Sequence, residues 1–267
     1  MAQGYFTDDS MLRRVVSERV LVLAGARTLL MQAAHPLAFA GLMAHTKGLD
    51  DPYERLARTA QVMNLIGFGT REEADRATRR VRAMHRRVRG ALAEPAGRFP
   101  AGTPYAADAP ELLLWILATL ADSALTVYPR YVRALDRDER DALWRDYKVV
   151  GRLFGLADAE LPETIEDFDA YMRGMLEGDD LHVTPDAREL AVEIVMRPPV
   201  PVTLKPVLEL VNQITIGLLP AKVRREFGFS WDPARHLAFV GGAEYVKRVV
   251  VPLLPERLRV IPVARAA

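Results

Sequence analysis

Two stretches place polar side chains where a core helix would carry apolar ones, and together they point to cofactor chemistry. In YERLARTAQVMNLIG, Arg55 and Thr59 are four residues apart, so a helix stacks them on one face, which Val62 and Ile66 continue. In REEADRATRRVRAMHRRVRG, the apolar stripe is Ala74, Ala77, Val81, Met84 and Val88, with His85 at its edge. At ~100° per residue, Arg76, Arg80 and Arg87 face roughly the other way. An arginine, a threonine and a histidine aimed inward from neighbouring helices need polar partners, because burying them unpaired is costly. A neutral imidazole is a good iron ligand, and Arg82 and Arg89 beside it suit carboxylates such as haem propionates. A haem would supply the missing partner.

The elements that position these residues read as helices. The segment from Asp9 to Ala34 is helical, in two pieces around Gly25, with Leu21, Leu29, Leu30 and Met31 expected in the core. Pro36 disfavours helix at His35 and starts a short apolar helix, PLAFAGLMAH. Asp50 or Asp51 caps the helix of Arg55 and Thr59, with Pro52 in its first turn. Thr70 and Glu73 form a capping box for the helix of His85. Residues 93–109, rich in Pro, Gly and Ala, read as an irregular surface excursion. Asp108 then caps a strongly apolar helix ending before Pro129. Further helices start at Asp136 (stopped by Gly155), at Thr164 with Asp167, at Thr184-Pro185 and after the RPPVP break at 197–201. A last helical segment lies around 243–254. The pattern predicts an all-α fold, a single domain of about ten helices of ordinary length with residues 1–8 as a loose arm.

Composition narrows the function. The chain has 267 residues, 36 Lys and Arg against 35 Asp and Glu, and no cysteine. Disulfides, Fe–S clusters, thiolate-ligated haem and cysteine nucleophiles are therefore excluded. Near-neutral charge offers no footprint for nucleic acid, and the eight arginines of 71–90 lack interleaved aromatics and lie beside Glu72, Glu73 and Asp75. They read as a solvated face. No uninterrupted apolar run reaches the ~20 residues of a membrane span. Glu18 and Arg19 interrupt the stretch after Arg13-Arg14 that imitates a leader, so the expected location is cytoplasmic. No Glu-x-x-His pairs for a di-iron bundle, no Gly-x-Ser-x-Gly elbow and no P-loop occur; Asp179-x-x-His182 is a lone near miss.

The motifs QAAHPLAFAG (32–41), YERLARTA (53–60), FGT (68–70), MHRRVRG (84–90), Tyr105 with ELLLWILATL (111–120), and LLPAKVRREFGFSW (218–231) occur in one order. That ordered set resembles the family of latex-clearing protein (rubber oxygenase) and the membrane-bound oxygenase of mycophenolic acid biosynthesis. The resemblance implies an all-α, somewhat globin-like core binding haem b, and an oxygenase using O2 on an apolar, isoprenoid or otherwise unsaturated small molecule. His85 matches the family's proximal iron ligand, and Arg55 and Thr59 match its Arg-x-x-x-Thr pair. His35 falls in a family motif and becomes a candidate on the distal side, ahead of His45. Leu37, Phe39, Leu42, Met43 and Met63 suit a greasy substrate. Arg58 stands where rubber-cleaving members have a lysine; it stays protonated, cannot ligate iron and remains a cofactor-contact candidate with Arg82 and Arg89. No acid in LAFAGLMAH replaces the distal glutamate of those members.

Bland readings stand beside these. His85 serves equally as a core histidine bonded to a carbonyl, and Arg55 and Thr59 as a helix–helix contact with Glu54 or Asp51. His182 and His236 read as loop residues. A haem carrier or sensor, and a cofactor-free helical ligand-binding domain, remain open beside the oxygenase, as does homo-oligomerisation.

Overall fold

The computed structural model describes residues 3–44 and 52–266. His45 and the proposed caps Asp50 and Asp51 lie outside these residues. The architecture is all-α, as the periodicity predicts, with one small antiparallel hairpin.

The central element is α6 (Pro110–Tyr131), whose Trp115, Ala118, Ala121 and Val127 are fully buried. Around it pack α2 (Val22–Ala33) and α7 (Arg137–Phe154), with α1 (Met11–Val16) on α7. The chain bends by 100° between α2 and α3 (Pro36–Ala44). The missing Pro36 donor and the extended bias of the preceding residue account for a break there. α4 (Pro52–Phe68) and α5 (Arg71–His85) form a helical hairpin, and α5 leans on α7. α8 (Ile165–Glu177), α9 (Pro185–Met196), α10 (Lys205–Leu218) and α11 (Ala221–Phe227) complete the core, and one buried cluster runs from Phe6 to Phe227 across the Pro-rich break. α12 (Pro233–Tyr245), a π-helical turn (Val246–Val250) and short helical segments follow. Among the described residues, α6 is the single helix long and apolar enough to cross a membrane by length and composition, and Arg19–Ala33 with Pro36–Met43 pass only as a pair bent by 100°; 56% of the most apolar window of α6 is buried inside the protein.

Local signals place most boundaries. The Thr70–Glu73, Asp136–Glu139 and Thr164–Asp167 capping boxes are all formed, and Gly155 ends α7 in the left-handed region at φ 108°. Five expectations need correction. The break before α2 falls at Ser17–Glu18, and Gly25 lies within the helix. Asp108 does not cap α6; Ala109 is the N-cap, and the Asp108 carboxylate accepts two hydrogen bonds from Arg89 at 2.9 and 3.1 Å. α6 continues through Pro129 to Tyr131. The excursion at 93–109 contains β2 (Pro104–Ala106), paired antiparallel with β1 (Arg89–Ala91). Three-residue strands leave no alternation for a sequence reading to detect. The N-terminal arm is docked from Gln3 onward: Phe6 is buried, Tyr5 donates to Asp75 at 2.6 Å, and the Arg71 amide donates to the Gln3 carbonyl.

Candidate functional site

His85 ends α5, whose other end is fixed by the Thr70 amide and hydroxyl donating to the Glu73 carboxylate. Immediately after it the chain turns, the Val88 amide donating to the His85 carbonyl at 2.9 Å, and enters β1. The hairpin register pairs Arg89 with Ala106 and Gly90 with Tyr105. A β-carbon at residue 90 would stand 2.5 Å from the Tyr105 hydroxyl oxygen, so glycine leaves the space over the strand that the Tyr105 ring occupies. The pairing carries Asp108 back to the end of α5, next to Arg89.

A cleft of about 280 Å³ opens there, lined by Arg82, His85, Arg86, Asp108, Leu113, Phe154 and Gly155. α5, the start of α6 and the end of α7 each contribute. The left-handed Gly155 both terminates α7 and brings its backbone against Arg82: a β-carbon there would touch the Arg82 side chain at 3.5 Å. The His85 Nδ1 is buried and has no hydrogen-bond partner. Burial lowers the pKa of the ring below the usual 6.5, with the Asp108 charge opposing, so the imidazole is neutral at pH 7. A neutral, half-buried imidazole with an unbonded nitrogen has a lone pair or N–H free for a polar partner. The arrangement does not match the carbonyl-bonded core histidine of the bland reading. Leu113 and Phe154 supply apolar wall, and Arg82 and Arg86 supply cationic rim. Arg89 is held by Asp108, so its charge is already matched.

The other sequence candidates lie elsewhere. His35 is buried against Phe99 and Trp115, with ring centroids 5.7 and 6.3 Å away, and its Nδ1 is unbonded. Trp115 and Leu113 are separated by ~200° around α6, so the two imidazoles lie on different sides of that helix. Thr59 is exposed, and its hydroxyl donates to the Arg55 carbonyl one turn back at 3.0 Å. Arg55 is half-buried and Arg58 exposed, both on α4; neither lines the cleft. Met84, expected on the buried stripe, is 54% exposed, and Thr78 takes the inward position beside Ala74. Leu37 and Phe39 are packed in the core. His182 is half-exposed, with Nδ1 3.3 Å from Glu226 and its amide on the Ala34 carbonyl; His236 is exposed. Among the described residues no group of three or more His, Asp or Glu converges.

Sequence reasoning missed Arg86, Asp108, Phe154 and Gly155. The only available signal was the Phe-Gly pair closing a helix, and it gave no hint of a cleft.

The His35 environment makes a separate prediction. Burial pushes its pKa down to about 4. The folded state therefore binds the proton less readily than the unfolded chain, and the contribution is full above pH 6.5 and lost as pH falls toward 4. Wild type is expected to lose about 2 kcal/mol between pH 7 and 5 from this residue. His35→Phe, which keeps a ring between Phe99 and Trp115, removes that part. Urea denaturation of both proteins at the two pH values tests it; equal losses would show that His35 does not carry the dependence.

The scaffold is all-α, and the cleft beside His85 lies between α5, α6 and α7. The family model of the ER-bound oxygenase mpaB/B′/rubber oxygenase catalytic domain matches residues 12–259. The chain belongs to this family of oxygenase catalytic domains. No curated protein and no solved structure matches it.

Proposed function

We propose that the chain is a haem b-dependent oxygenase acting on an apolar, unsaturated small molecule, with His85 as the iron ligand. The carrying observation is the His85 imidazole, kept neutral by burial with its Nδ1 unbonded, in a cleft rimmed by Arg82 and Arg86. The donor set fits a haem: an imidazole for the iron, guanidinium groups for propionates, and Leu113 and Phe154 for a macrocycle edge. When bound, the haem supplies the oxygen chemistry. The protein's part is to hold His85 in one orientation at the C-terminal end of α5, to keep that ring unprotonated, and to set carboxylate groups against Arg82 and Arg86. Asp108, through Arg89, ties the hairpin to that end of the helix.

A haem carrier or sensor is the second reading. It is favoured by the placement of the distal candidates, since His35, Arg55 and Thr59 all lie outside the lining of the His85 cleft. Arg58 in place of a lysine, and an α3 segment without an acid, give both readings the same expectation of little or no activity on polyisoprene.

Haemin added to the purified protein tests the shared part. A Soret band saturating at one haem per chain, and a b-type pyridine haemochrome, are expected. A protein that stays colourless with added haemin would eliminate oxygenase and carrier together as haem proteins. Oxygen consumption across small unsaturated lipids and isoprenoids then separates them: stable oxygen binding without turnover selects the carrier.

A further inference from the structure

Residues 252–264 are attached differently from the rest of the chain. None of them is buried, and none belongs to an apolar cluster. Their attachment is polar and falls on one place, the break between α1 and α2. The Ser17 carbonyl, left without a helical partner where α1 ends, accepts from the Ile261 amide at 2.9 Å. Glu18 and Val260 face each other as a single antiparallel bridge. The exposed Arg19 donates from Nε to the Val260 carbonyl at 3.2 Å and from Nη2 to the Arg257 carbonyl at 3.4 Å. Glu18, only 8% exposed, forms an ion pair with Arg259 at 3.3 Å.

That pair is incomplete. Glu18 Oε2 is buried without a hydrogen-bond partner, and so is Arg259 Nε. A buried pair with unsatisfied atoms adds little net stability, because desolvation offsets the attraction. A segment held by polar contacts, with no apolar side chain in the core, opens locally at a free energy well below that of global unfolding.

Beyond these contacts the short helix Pro262–Ala266 lies against α4. Of residues 53–68 only Ile66 and Gly67 are buried, both in the last turn of α4, where Gly67 meets Leu12 of α1. α4 is thus anchored in the core at one end, and its earlier turns carry Arg55 and Thr59.

We propose that residues 255–266 form a detachable strap, latched on Ser17, Glu18 and Arg19, that holds α4 in place. With the latch closed, Arg55 and Thr59 stay where they stand, outside the lining of the His85 cleft. With it open, the turns of α4 that carry them lose a support and gain freedom to move. The device is independent of whether His85 holds a haem.

Hydrogen exchange of the full chain, read by mass spectrometry, tests it. Arg259→Glu sets a second carboxylate against the buried Glu18 and should open the latch. Exchange in peptides covering 255–266 and 53–66 is expected to quicken about tenfold, while α6 and α7 keep their wild-type rates. Adding Glu18→Gln removes the repulsion and should return part of the protection in both peptides; a packing cause would leave the double variant as open as the single one. Arg19→Ala, at an exposed position, breaks the two carbonyl contacts without touching the ion pair and should loosen the same two peptides. If Arg259→Glu unfolds the chain by circular dichroism, Arg19→Ala decides. A strap that opens while α4 keeps its wild-type protection overturns the proposal. So does wild-type exchange throughout in the deciding variant, or an acceleration spread equally over α6 and α7.

Discussion

His85→Ala protein is expected to bind haemin more than about a hundredfold more weakly than wild type. Removing an outer-shell partner of a metal ligand typically costs 10–100-fold, and removing the ligand itself costs more. The substitution deletes a half-buried ring whose Nδ1 has no partner, so no hydrogen bond is broken and the fold should survive. Loss of the Soret band with unchanged circular dichroism is the expected pair of readings. Millimolar imidazole should restore part of the absorbance by entering the space the side chain leaves. His182→Ala and His236→Ala should keep their haem: the first ring is turned to Glu226 and the second lies on the surface. Equal haem content in all three variants would assign the iron to some other group, and His35→Phe then becomes the variant to measure.

How far the sequence carries depends on how local the determinant is. Capping boxes at Thr70, Asp136 and Thr164 are three-residue events, and each is visible in the letters and formed in the fold. The Pro36 bend is equally local. The helix that carries His85 is legible from its 3.6-residue periodicity, but its end is not: the apolar stripe reads on to Val88, whereas α5 stops at His85 and the chain turns into β1. The walls of its cleft are not legible either. Asp108 reaches Arg89 only through the hairpin, across nineteen residues, and Phe154 and Gly155 arrive from α7 by tertiary packing. Asp108 beside a helix start reads as a cap; a guanidinium nearby in space competed for it and won, a charge-assisted pair being stronger than a neutral capping bond. Arg55 and Thr59 show the converse. Their spacing puts them on one helix face, but spacing cannot say which way that face turns. Here the Thr59 hydroxyl satisfies itself on the Arg55 carbonyl, as serine and threonine do within helices.

Arg27 is the case the letters hide most completely, and it carries the largest expected effect on stability. It is the single charged residue of α2, and only 3% of it is exposed. Its Nε donates to the Leu218 carbonyl at 2.9 Å, Nη1 to the Ser123 hydroxyl at 2.7 Å, and Nη2 to the Asp122 carboxylate at 2.6 Å. One guanidinium thus joins α2, α6 and the C-terminal end of α10. Truncation leaves a mostly buried Asp122 carboxylate, a hydroxyl and a carbonyl without partners. Losing one member of such a pair typically costs 3–5 kcal/mol, because the remaining charge stays uncompensated. Against a total of about 5–15 kcal/mol for a native domain, Arg27→Ala is expected to lower the urea midpoint sharply. Arg27→Lys should recover little, since a point charge cannot serve three acceptors set in a fork. Adding Asp122→Asn to Arg27→Ala should recover part of the loss by removing the stranded charge, and that recovery separates an electrostatic cause from a packing one. An Arg27→Ala protein within about 1 kcal/mol of wild type, an ordinary value for a point substitution, would mean that the three helices are held together without this fork.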